Sequence, residues 1–403
     1  EMSINTNPQV LPPPDPPGPI KWLKDNLFGN LFNSILTIFS LLIVYFLLGG
    51  VIEWFFNTAD WRPVTKAPLL YVIGSYPREE MWRVGLSVTV VFFLLGISWG
   101  KWGGLLKSVS LALGGIFFVL AILPVKHVQL DVAMRTYLGI TVFVMALGYI
   151  LGRAEKLKPN LIYILWLISP IIIVVLFAGI ENSEVLKQVA TTSWGGLMVT
   201  FLLAIGGILI SFPIGVALAL GRRSTLPIVS ASSTIFIETI RGVPLITILF
   251  MFSIILGLFL PADARLDRLL RALMAVTVFS SAYTAENIRG GLQSISKGQY
   301  EAAHALGMNN FQTMFFIVLP QAIKVVIPAI VGQFISLFKD TTLVVIVGIN
   351  DLLGIGRSVI NSESDFLQLQ LEVYIFIALI YWVFSYFMSV ASRRVEASLG
   401  VSN

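Results

Sequence analysis

The sequence predicts an all-α integral membrane protein, because its composition and the length of its apolar stretches both suit a bilayer. Of the 403 residues, 56% are hydrophobic and 12% are charged, and the mean hydropathy is +0.86. Soluble domains are about 45–50% apolar and about 25% charged. Apolar stretches of about 20 residues, the length that crosses about 30 Å of hydrocarbon, recur along the chain. The lack of cysteine excludes a disulfide framework and a cysteine nucleophile.

These stretches predict ten membrane spans. They cover residues 31–52, 84–99, 105–124, 137–151, 161–180, 197–220, 244–260, 269–288, 322–346 and 373–391. The first five spans form a predicted N-terminal transmembrane extension, residues 27–188, and the last five a predicted core, residues 189–403. Residues 1–26 are predicted to be a cytoplasmic tail, because the proline-rich run from Pro12 to Pro17 cannot form a helix.

Lysine and arginine in short loops predict the orientation of these spans, since such residues concentrate on the cytoplasmic side. The basic residues that share one side of the ten-span arrangement are Lys21, Lys24, Lys101, Lys107, Arg153, Lys156, Lys158, Arg222, Arg223, Arg393 and Arg394. Both termini are therefore predicted to be cytoplasmic.

The longest connection on the opposite side, residues 53–83, is rich in aromatic residues. These are Trp54, Trp61, Tyr71, Tyr76 and Trp82. Amphipathic aromatic rings are enriched at membrane–water boundaries, so interfacial anchoring is the favoured interpretation. A docking surface for an external partner is the alternative.

The connection between the eighth and ninth spans, residues 293–321, differs from the others because it is long and carries helix signals. Tyr300 to Leu306 suits a short helix, since alanine carries little helical penalty. Gly307 follows at the position of a left-handed C-cap. A second short helix is predicted over residues 311–318, ending against Pro320.

The same loop resembles a known signature. Glu301-Ala302-Ala303, Gly307, Ile317 and Leu319-Pro320, preceded by Lys297-Gly298-Gln299, resemble the EAA motif of ABC-importer permeases. In that family the loop forms a coupling helix that sits in a groove of the ATPase subunit. The resemblance implies that the residues contacting the ATPase are Gly298, Glu301, Ala302, Ala303, Gly307, Leu319 and Pro320. An ordinary amphipathic hairpin is the alternative interpretation.

Three further elements resemble the polar-amino-acid branch of this family. They are Arg241-Gly242-Val243-Pro244, the run from Ala282 to Gly291, and Lys339-Asp340-Thr341-Thr342-Leu343. The resemblance covers residues 194–400 and is greatest to the large subunits of general L-amino-acid importers, which carry a long N-terminal membrane extension. It implies an inner-membrane complex with a second homologous permease, two ATPase subunits and a periplasmic amino-acid-binding protein.

No ATP chemistry is predicted for this chain. It contains no G-x-x-x-x-G-K-[ST] phosphate cradle, so ATP and Mg are expected on the partner ATPase. The chain is therefore predicted to be a non-catalytic subunit. An intramembrane enzyme would need a metal cluster or a nucleophile–base pair, and the sequence offers neither. A secondary transporter or channel for small polar solutes is the alternative, although neither an inverted repeat nor an acidic relay is evident.

Several polar residues within the spans are candidates for contact with substrate or for gating. They are Gln333, Glu286, Arg289, Lys339, Asp340 and Thr341. Glu286 and Arg289 share a helix face and form either a local ion pair or part of a gate. Gln333 needs hydrogen-bonding partners, which are either neighbouring helices or a transported amino acid. Lys339 and Asp340 are expected to pair with other helices, because unpaired charges in a bilayer are costly.

Small residues at four-residue spacing mark one face of the sixth span. Gly207, Ser211 and Gly215 lie on that face, and such spacing allows close contact between helices. Packing is the favoured interpretation, with a pore-lining role as the alternative. Which amino acids are carried, and whether the substrate pocket lies in this subunit or in its partner, stay open at this point.

Overall fold

The computed structural model describes residues 18–122, 132–154, 157–259, 261 and 266–400, and these are almost entirely helical. The α-helices are α1 (Pro19–Leu27), α2 (Leu31–Glu53), α3 (Arg62–Thr65), α4 (Pro68–Ile73), α5 (Met81–Trp102), α6 (Gly104–Ile122), α7 (Val132–Gly152), α8 (Pro159–Ala178), α9 (Gly196–Arg222), α10 (Pro227–Gly242), α11 (Leu245–Phe250), α12 (Leu256–Phe259), α13 (Arg268–Ser294), α14 (Lys297–Ala305), α15 (Asn310–Gln312), α16 (Leu319–Asp340), α17 (Leu352–Ile360) and α18 (Gln370–Leu399). Wider π-helical turns occupy Trp54–Thr58, Met251–Ile255 and Thr313–Val318. Tighter 3₁₀ turns occupy Arg78–Glu80, Thr191–Ser193, Thr341–Val347 and Ser364–Gln368.

The chain divides after Asp60 into two compact units. In the first unit, the Asn30 side chain caps α2 by accepting a hydrogen bond of 2.7 Å from the backbone N–H of Asn33. No residue of α2 is buried by other parts of the protein. A helix that is apolar on all sides and is not covered by protein suits a membrane span. The first unit also contains α1, and the second unit contains α3 to α18. Of the predicted tail, residues 1–26, residues 1–17 lie outside the described residues, and the part from Pro19 onward belongs to helix α1.

Eight helices in the described part of the chain are long and apolar enough to cross a membrane, and a bent pair makes a ninth. Five of them, α2 and α5 to α8, correspond to the five predicted spans of the extension. The predicted ends of the third and seventh spans, Pro124 and Leu260, fall outside the described residues. The predicted all-α membrane fold is thus confirmed, while two spans of the core need correction.

The predicted seventh span is part of a broken helix and not a straight one. Helix α10 and the segment Leu245–Phe259 meet at 107°. The bend falls at Val243, whose φ of −110° and ψ of 133° are extended. Pro244 follows it, and a residue before proline is disfavoured in the helical region. The sequence prediction missed this bend because the polar residues of α10 hide the fact that α10 can form half of a span.

The predicted eighth span exists as helix α13, but α13 is more polar than the eight long apolar helices. Thirteen of its 27 residues are buried, and most of those are alanine, serine, threonine or glycine. A helix surrounded by other helices needs small side chains for close packing, because it presents little surface to lipid. Helix α13 is therefore the centre of the core.

Close contact between α9 and α13 confirms the packing role predicted for the small residues of the sixth span. A Cβ atom on Gly207 would lie 2.9 Å from Cγ1 of Val276, and one on Gly215 would lie 2.7 Å from Cβ of Thr284. Between them, the Ser211 hydroxyl donates a hydrogen bond of 3.1 Å to Oγ of Ser280. Any larger side chain at either glycine would separate the two helices.

The connection that precedes α5 is packed into the second unit, so interfacial anchoring is the wrong interpretation for two of its aromatic residues. Tyr71 is 1% exposed and Tyr76 is 3% exposed. The Tyr71 ring lies 5.1 Å from the ring of Phe376 in α18. The Tyr76 hydroxyl donates a hydrogen bond of 3.0 Å to the carbonyl oxygen of Phe177 in α8. The connection thus links extension helices with core helices.

Arg83, at the start of α5, also fixes this region. Its side chain is fully buried, forms an ion pair of 2.9 Å with Oε2 of Glu80, and donates a hydrogen bond of 2.7 Å to the carbonyl oxygen of Lys187. A buried charge needs such partners to offset its lost hydration. Arg83 therefore holds the segment that leads from α8 into the core.

Candidate functional site

The loop between α13 and α16 begins with a short helix that ends in a sharp turn. Helix α14 starts after Ser296 and runs to Ala305. Its end is a Schellman motif, in which the N–H of Met308 donates to the carbonyl of Ala303 at 3.1 Å and the N–H of Gly307 donates to His304 at 2.9 Å. Gly307 has φ of +80°, a conformation that favours glycine. The predicted helix and its glycine cap are confirmed.

The second helix of the loop does not end at Pro320, contrary to the sequence prediction. Asn309 and Gln312 form a capping box, and the helix continues through the π-helical turn Thr313–Val318 directly into α16. Pro320 lacks an N–H and cannot complete the usual ladder. The wider turn places Pro320 at the start of α16, where the N–H of Leu319 has already bonded to the carbonyl of Met314. A proline that would end a regular helix is therefore accommodated.

The residues with predicted ATPase contact divide into an exposed and a buried face. Gly298, Glu301, Ala302, Gly307 and Pro320 are exposed. Ala303 and Leu319 are buried beneath the loop. The side chain of Glu301 makes no hydrogen bond or ion pair with any residue in the described part of the chain.

Large apolar side chains lie beside this exposed face. Leu306 is 83% exposed and Phe311 is 64% exposed. The ring of Phe311 packs against that of Phe315 at 4.4 Å, so the two form one apolar ridge. The loop thus presents apolar side chains next to an unpaired carboxylate, which is the character of a surface that a partner covers.

A single arginine joins the loop to the end of α9. Nη1 of Arg223 donates to the hydroxyl oxygen of Tyr300 and to the carbonyl oxygen of Leu292, both at 3.3 Å. Tyr300 belongs to α14 and Leu292 to α13. A movement of α14 therefore acts directly on the end of α9.

The neighbouring residue, Arg222, belongs to a group of charges that we call the arginine cluster: Arg222, Arg241 and Arg289 around Glu286. Nε of Arg289 donates to Oε2 of Glu286 at 2.9 Å. Nη1 of Arg222 and Nη1 of Arg241 lie 3.5 Å and 3.7 Å from the same carboxylate oxygen. The cluster joins α9, α10 and α13, so the predicted local pair is present but is only part of a larger network.

The arginine cluster adjoins a cavity of about 370 Å³ between α13 and α16. Its polar lining consists of Ser280, Tyr283, Asn287, Gln333, Ser336 and Asp340. Tyr283 belongs to both features, because the guanidinium of Arg241 lies 5.7 Å from the centre of its ring. Since α13 runs towards the loop and α16 runs away from it, the cluster marks the loop side of the cavity and Asp340 its far side.

Gln333 lies in this cavity with its amide fully engaged. Its Nε2 donates to the carbonyl oxygen of Ser280 at 2.8 Å, and its Oε1 accepts from Nδ2 of Asn287 at 2.8 Å. Both partners belong to α13. In this conformation Gln333 therefore bridges two helices while one side of it faces the cavity.

The remaining candidates separate. Asp340 lines the cavity, and Lys339 is exposed. Neither makes an ion pair with another described residue, so their expected pairing with other helices stays a prediction. Thr341 is buried away from the cavity, where its hydroxyl donates to the carbonyl of Phe338 at 2.8 Å and lies 3.4 Å from the hydroxyl of Tyr381.

The structure adds functional candidates that the sequence reasoning did not single out. Asn287, Ser280 and Tyr283 line the cavity, while Arg222 and Arg241 complete the cluster. Arg241, Tyr283 and Asn287 already lie within the quoted motif elements. A polar residue inside a predicted span was the available signal for Asn287.

A polytopic helical bundle with a broken span, a polar cavity and one exposed helix–turn–helix loop has the architecture of a membrane permease. The family model described as the binding-protein-dependent transport system inner membrane component matches residues 211–401. The chain belongs to this family, as its full-length relatives also show, and is a multi-pass inner membrane protein.

Two relatives match along nearly the whole chain. The inner membrane amino-acid ABC transporter permease protein YhdY of Escherichia coli (strain K12) is 36% identical over 390 residues, which cover 93% of this chain and 91% of that protein. The glutamate/glutamine/aspartate/asparagine transport system permease protein BztC of Rhodobacter capsulatus is 33% identical over 427 residues, with 95% and 94% covered. The extension is therefore shared with these two relatives.

A third relative is about half as long. The probable glutamine ABC transporter permease protein GlnP of Bacillus subtilis is 38% identical over 203 residues, which cover 50% of this chain and 91% of that protein. A permease of this family can thus consist of little more than a core.

Proposed function

We propose that this chain is a permease subunit of an ATP-driven importer for polar L-amino acids. The observation that carries the proposal is the loop of residues 293–321, which has the EAA spacing, a left-handed glycine and an apolar ridge that the described part of the chain leaves uncovered. The names of the long relatives support amino acids as the transported class.

The proposed assembly contains a second homologous permease, two ATPase subunits and a periplasmic amino-acid-binding protein. ATP and Mg would bind the ATPase subunits, and this chain would be non-catalytic. The absence of a phosphate-cradling motif from the sequence supports that division of labour. The proposed orientation, with both termini cytoplasmic, rests on the distribution of basic residues.

The proposed contact with the ATPase is made by the exposed face of α14 and the turn after it. Glu301, Ala302 and Gly307 would meet the ATPase groove, with Gly298 and Pro320 beside them. Ala303 and Leu319 would support this face from beneath, because both are buried. Movement of α14 would then reach α9 through Tyr300 and Arg223, which are hydrogen-bonded.

The proposed substrate path runs through the cavity between α13 and α16. Asp340 and Gln333 present a carboxylate and an amide there, which suit the ammonium and polar groups of an amino acid. Glu286 and Arg289 would belong to a gate at the loop side. Lys339 is assigned to the surface and Thr341 to packing, since neither lines the cavity.

Reconstitution of the complete complex in proteoliposomes tests this function. We expect uptake of labelled polar amino acids to require ATP, the ATPase subunits and the binding protein. A panel that includes glutamate, glutamine, arginine and leucine would define the transported class. Uptake driven by an ion gradient in the absence of the ATPase would contradict the proposal and favour a secondary transporter.

A further inference from the structure

The arginine cluster has more positive charge and more hydrogen-bond donors than its own carboxylates can use. Arg222, Arg241 and Arg289 face two carboxylates, Glu286 and Glu238, so one positive charge is left over. Glu286 receives hydrogen bonds only from Arg289 among the described residues, while the other two arginines approach it at 3.5 Å and 3.7 Å.

Nε of Arg241 is buried without a hydrogen-bond acceptor among the described residues. Nη1 of Arg222 forms an ion pair of 2.8 Å with Oε1 of Glu238, but this contact lacks hydrogen-bond geometry. A buried donor without an acceptor is costly, and native structures rarely keep one without a reason.

The position of the cluster indicates what the missing acceptor is. Tyr283 lines the cavity on one side and supports the guanidinium of Arg241 on the other. Asn287, which also lines the cavity, directly follows Glu286 in the sequence. Arg241 therefore lies next to the cavity through Tyr283, and Arg222 approaches the same carboxylate oxygen of Glu286 as Arg241 does.

We propose that Arg241 and Arg222 form a binding site for the α-carboxylate of the transported amino acid at the loop side of the cavity. This proposal rests on the proposed function as an amino-acid permease. A guanidinium holds a carboxylate through charge-assisted hydrogen bonds, and its planar donor fork matches the two carboxylate oxygens. The cation–π contact of Arg241 with the ring of Tyr283, at 5.7 Å, favours an orientation of that fork beside the cavity.

Glu286 has a defined part in this arrangement. It offsets part of the positive charge of the cluster when no substrate is present, and it stays bound to Arg289, its hydrogen-bonded partner. The substrate carboxylate then engages the two arginines that Glu286 leaves without hydrogen bonds. A site that is only partly neutralised binds an anion weakly enough to release it, as transport requires.

Direct binding to the purified permease–ATPase complex, without the binding protein, tests the proposal. The probes are L-glutamine and its α-carboxamide, which lacks the carboxylate, measured by isothermal titration. We expect Arg241→Gln and Arg222→Gln each to lower the affinity for L-glutamine about tenfold relative to the carboxamide. Arg241→Lys keeps the charge but not the fork, so it should lie between the wild type and Arg241→Gln.

Lys324→Gln is the matched control, because Lys324 is an exposed cation of α16 that does not line the cavity. An unchanged ratio of the two affinities in all cluster variants would overturn the proposal and leave the cluster as a structural clasp. An equal change of this ratio in Lys324→Gln would also overturn the proposal, since the overall electrostatic field of the protein would then explain the effect. ATP-driven uptake by the wild-type complex tests the proposed function separately. If Arg241→Gln fails to assemble, Arg241→Lys and Arg222→Gln decide the outcome.

Discussion

The helices of the extension, α5 to α8, and the core helices α9, α13 and α16 are held together by the same kind of glycine contact. In the extension, a Cβ atom on Gly148 of α7 would lie 2.5 Å from the carbonyl oxygen of Phe93 in α5. In the core, a Cβ atom on Gly215 of α9 would lie 2.7 Å from Cβ of Thr284 in α13. Tight packing alone therefore does not separate the two regions.

The surroundings of their polar contacts do separate them. In the extension, the hydroxyls of Thr89 and Thr141 lie 3.0 Å apart between α5 and α7, and Nε1 of Trp166 in α8 donates to Oγ of Ser98 in α5 at 2.9 Å. In the core, Gln333 of α16 donates to Ser280 and accepts from Asn287 of α13, and all three residues line a cavity. The contacts in the extension therefore hold packed helices together, whereas those in the core also border the proposed substrate path.

The same substitution in both regions gives the largest expected difference. Gly215→Leu should separate α9 from α13 and abolish uptake, because overpacking at such a contact costs about 1–3 kcal/mol or more and distorts the cavity wall. Gly148→Leu should disturb α5 and α7 to a similar degree while retaining some uptake. The measurement is ATP-driven uptake, normalised to complex recovered from membranes. Equal loss in both variants would show that transport depends on the whole bundle.

The sequence predicted the parts of this contrast that depend on local pattern. Length and apolarity identified the eight long apolar helices of the described residues, and the EAA spacing located α14 and the left-handed Gly307. The sequence prediction failed where the surroundings of a helix or a side chain determine whether it is buried. Helix α13 is polar because neighbouring helices replace lipid around it, and Tyr71 looks like an interfacial residue until the core helix α18 is seen to cover it.

Candidate residues were predictable by type but not by grouping. Gln333, Asp340, Glu286 and Arg289 are conspicuous because polar residues are rare in spans. Their separation into a cavity and a charge cluster depends on the relative rotation of α10, α13 and α16, and no sequence spacing specifies that rotation. For the same reason Pro320 was misjudged, since a π-helical turn hides the missing hydrogen bond.

The loop should lose transport without losing its fold. Glu301→Lys reverses an exposed charge that has no partner in the described chain, so the fold is unaffected while docking to the ATPase weakens. We expect at least a tenfold loss of uptake when the variant is present in the membrane at the wild-type level. Lys297→Glu, an exposed charge reversal at the start of the same helix, is the control. Normal uptake by Glu301→Lys would refute the assigned coupling face.

Selectivity should respond at Gln333, with an effect of several-fold. Gln333→Glu places a negative charge in the cavity, where a cationic group at 4 Å gains about 4 kcal/mol at an effective dielectric near 20, although desolvation removes much of this. It also loses the donor to Ser280. We expect competition to shift towards arginine and lysine and away from glutamate.

The measurement for Gln333→Glu is competition uptake by the purified complex with one binding protein held fixed. Gln333→Met, neutral and of similar length, shows the effect of losing the hydrogen bonds alone. An unchanged ranking of competitors in Gln333→Glu would mean that Gln333 serves only to bridge α13 and α16.

The smallest expected effect concerns stability and not transport, and it involves Asp351 at the start of α17. Asp351 is fully buried, caps α17 by accepting from the N–H of Gly354 at 2.9 Å, and accepts from the hydroxyl of Tyr381 at 3.1 Å. Burial raises the pKa of Asp351 from 3.8 to about 6. Its folded pKa thus lies above its unfolded pKa, so the folded state prefers the protonated carboxyl.

Stability should therefore decrease as the pH rises from about 4 to about 6 and stay lower above that range, by at most about 3 kcal/mol for a shift of this size. Asp351→Asn is neutral throughout and keeps an oxygen that accepts from Gly354. We expect its melting temperature in nanodiscs to rise relative to wild type between pH 5 and pH 7, values at which the wild-type carboxyl loses its proton. Asp365→Asn, at an exposed acid after α17, should leave the wild-type slope unchanged. Parallel melting curves for Asp351→Asn and wild type would show that Asp351 keeps an ordinary acidity and that this end of the core is hydrated.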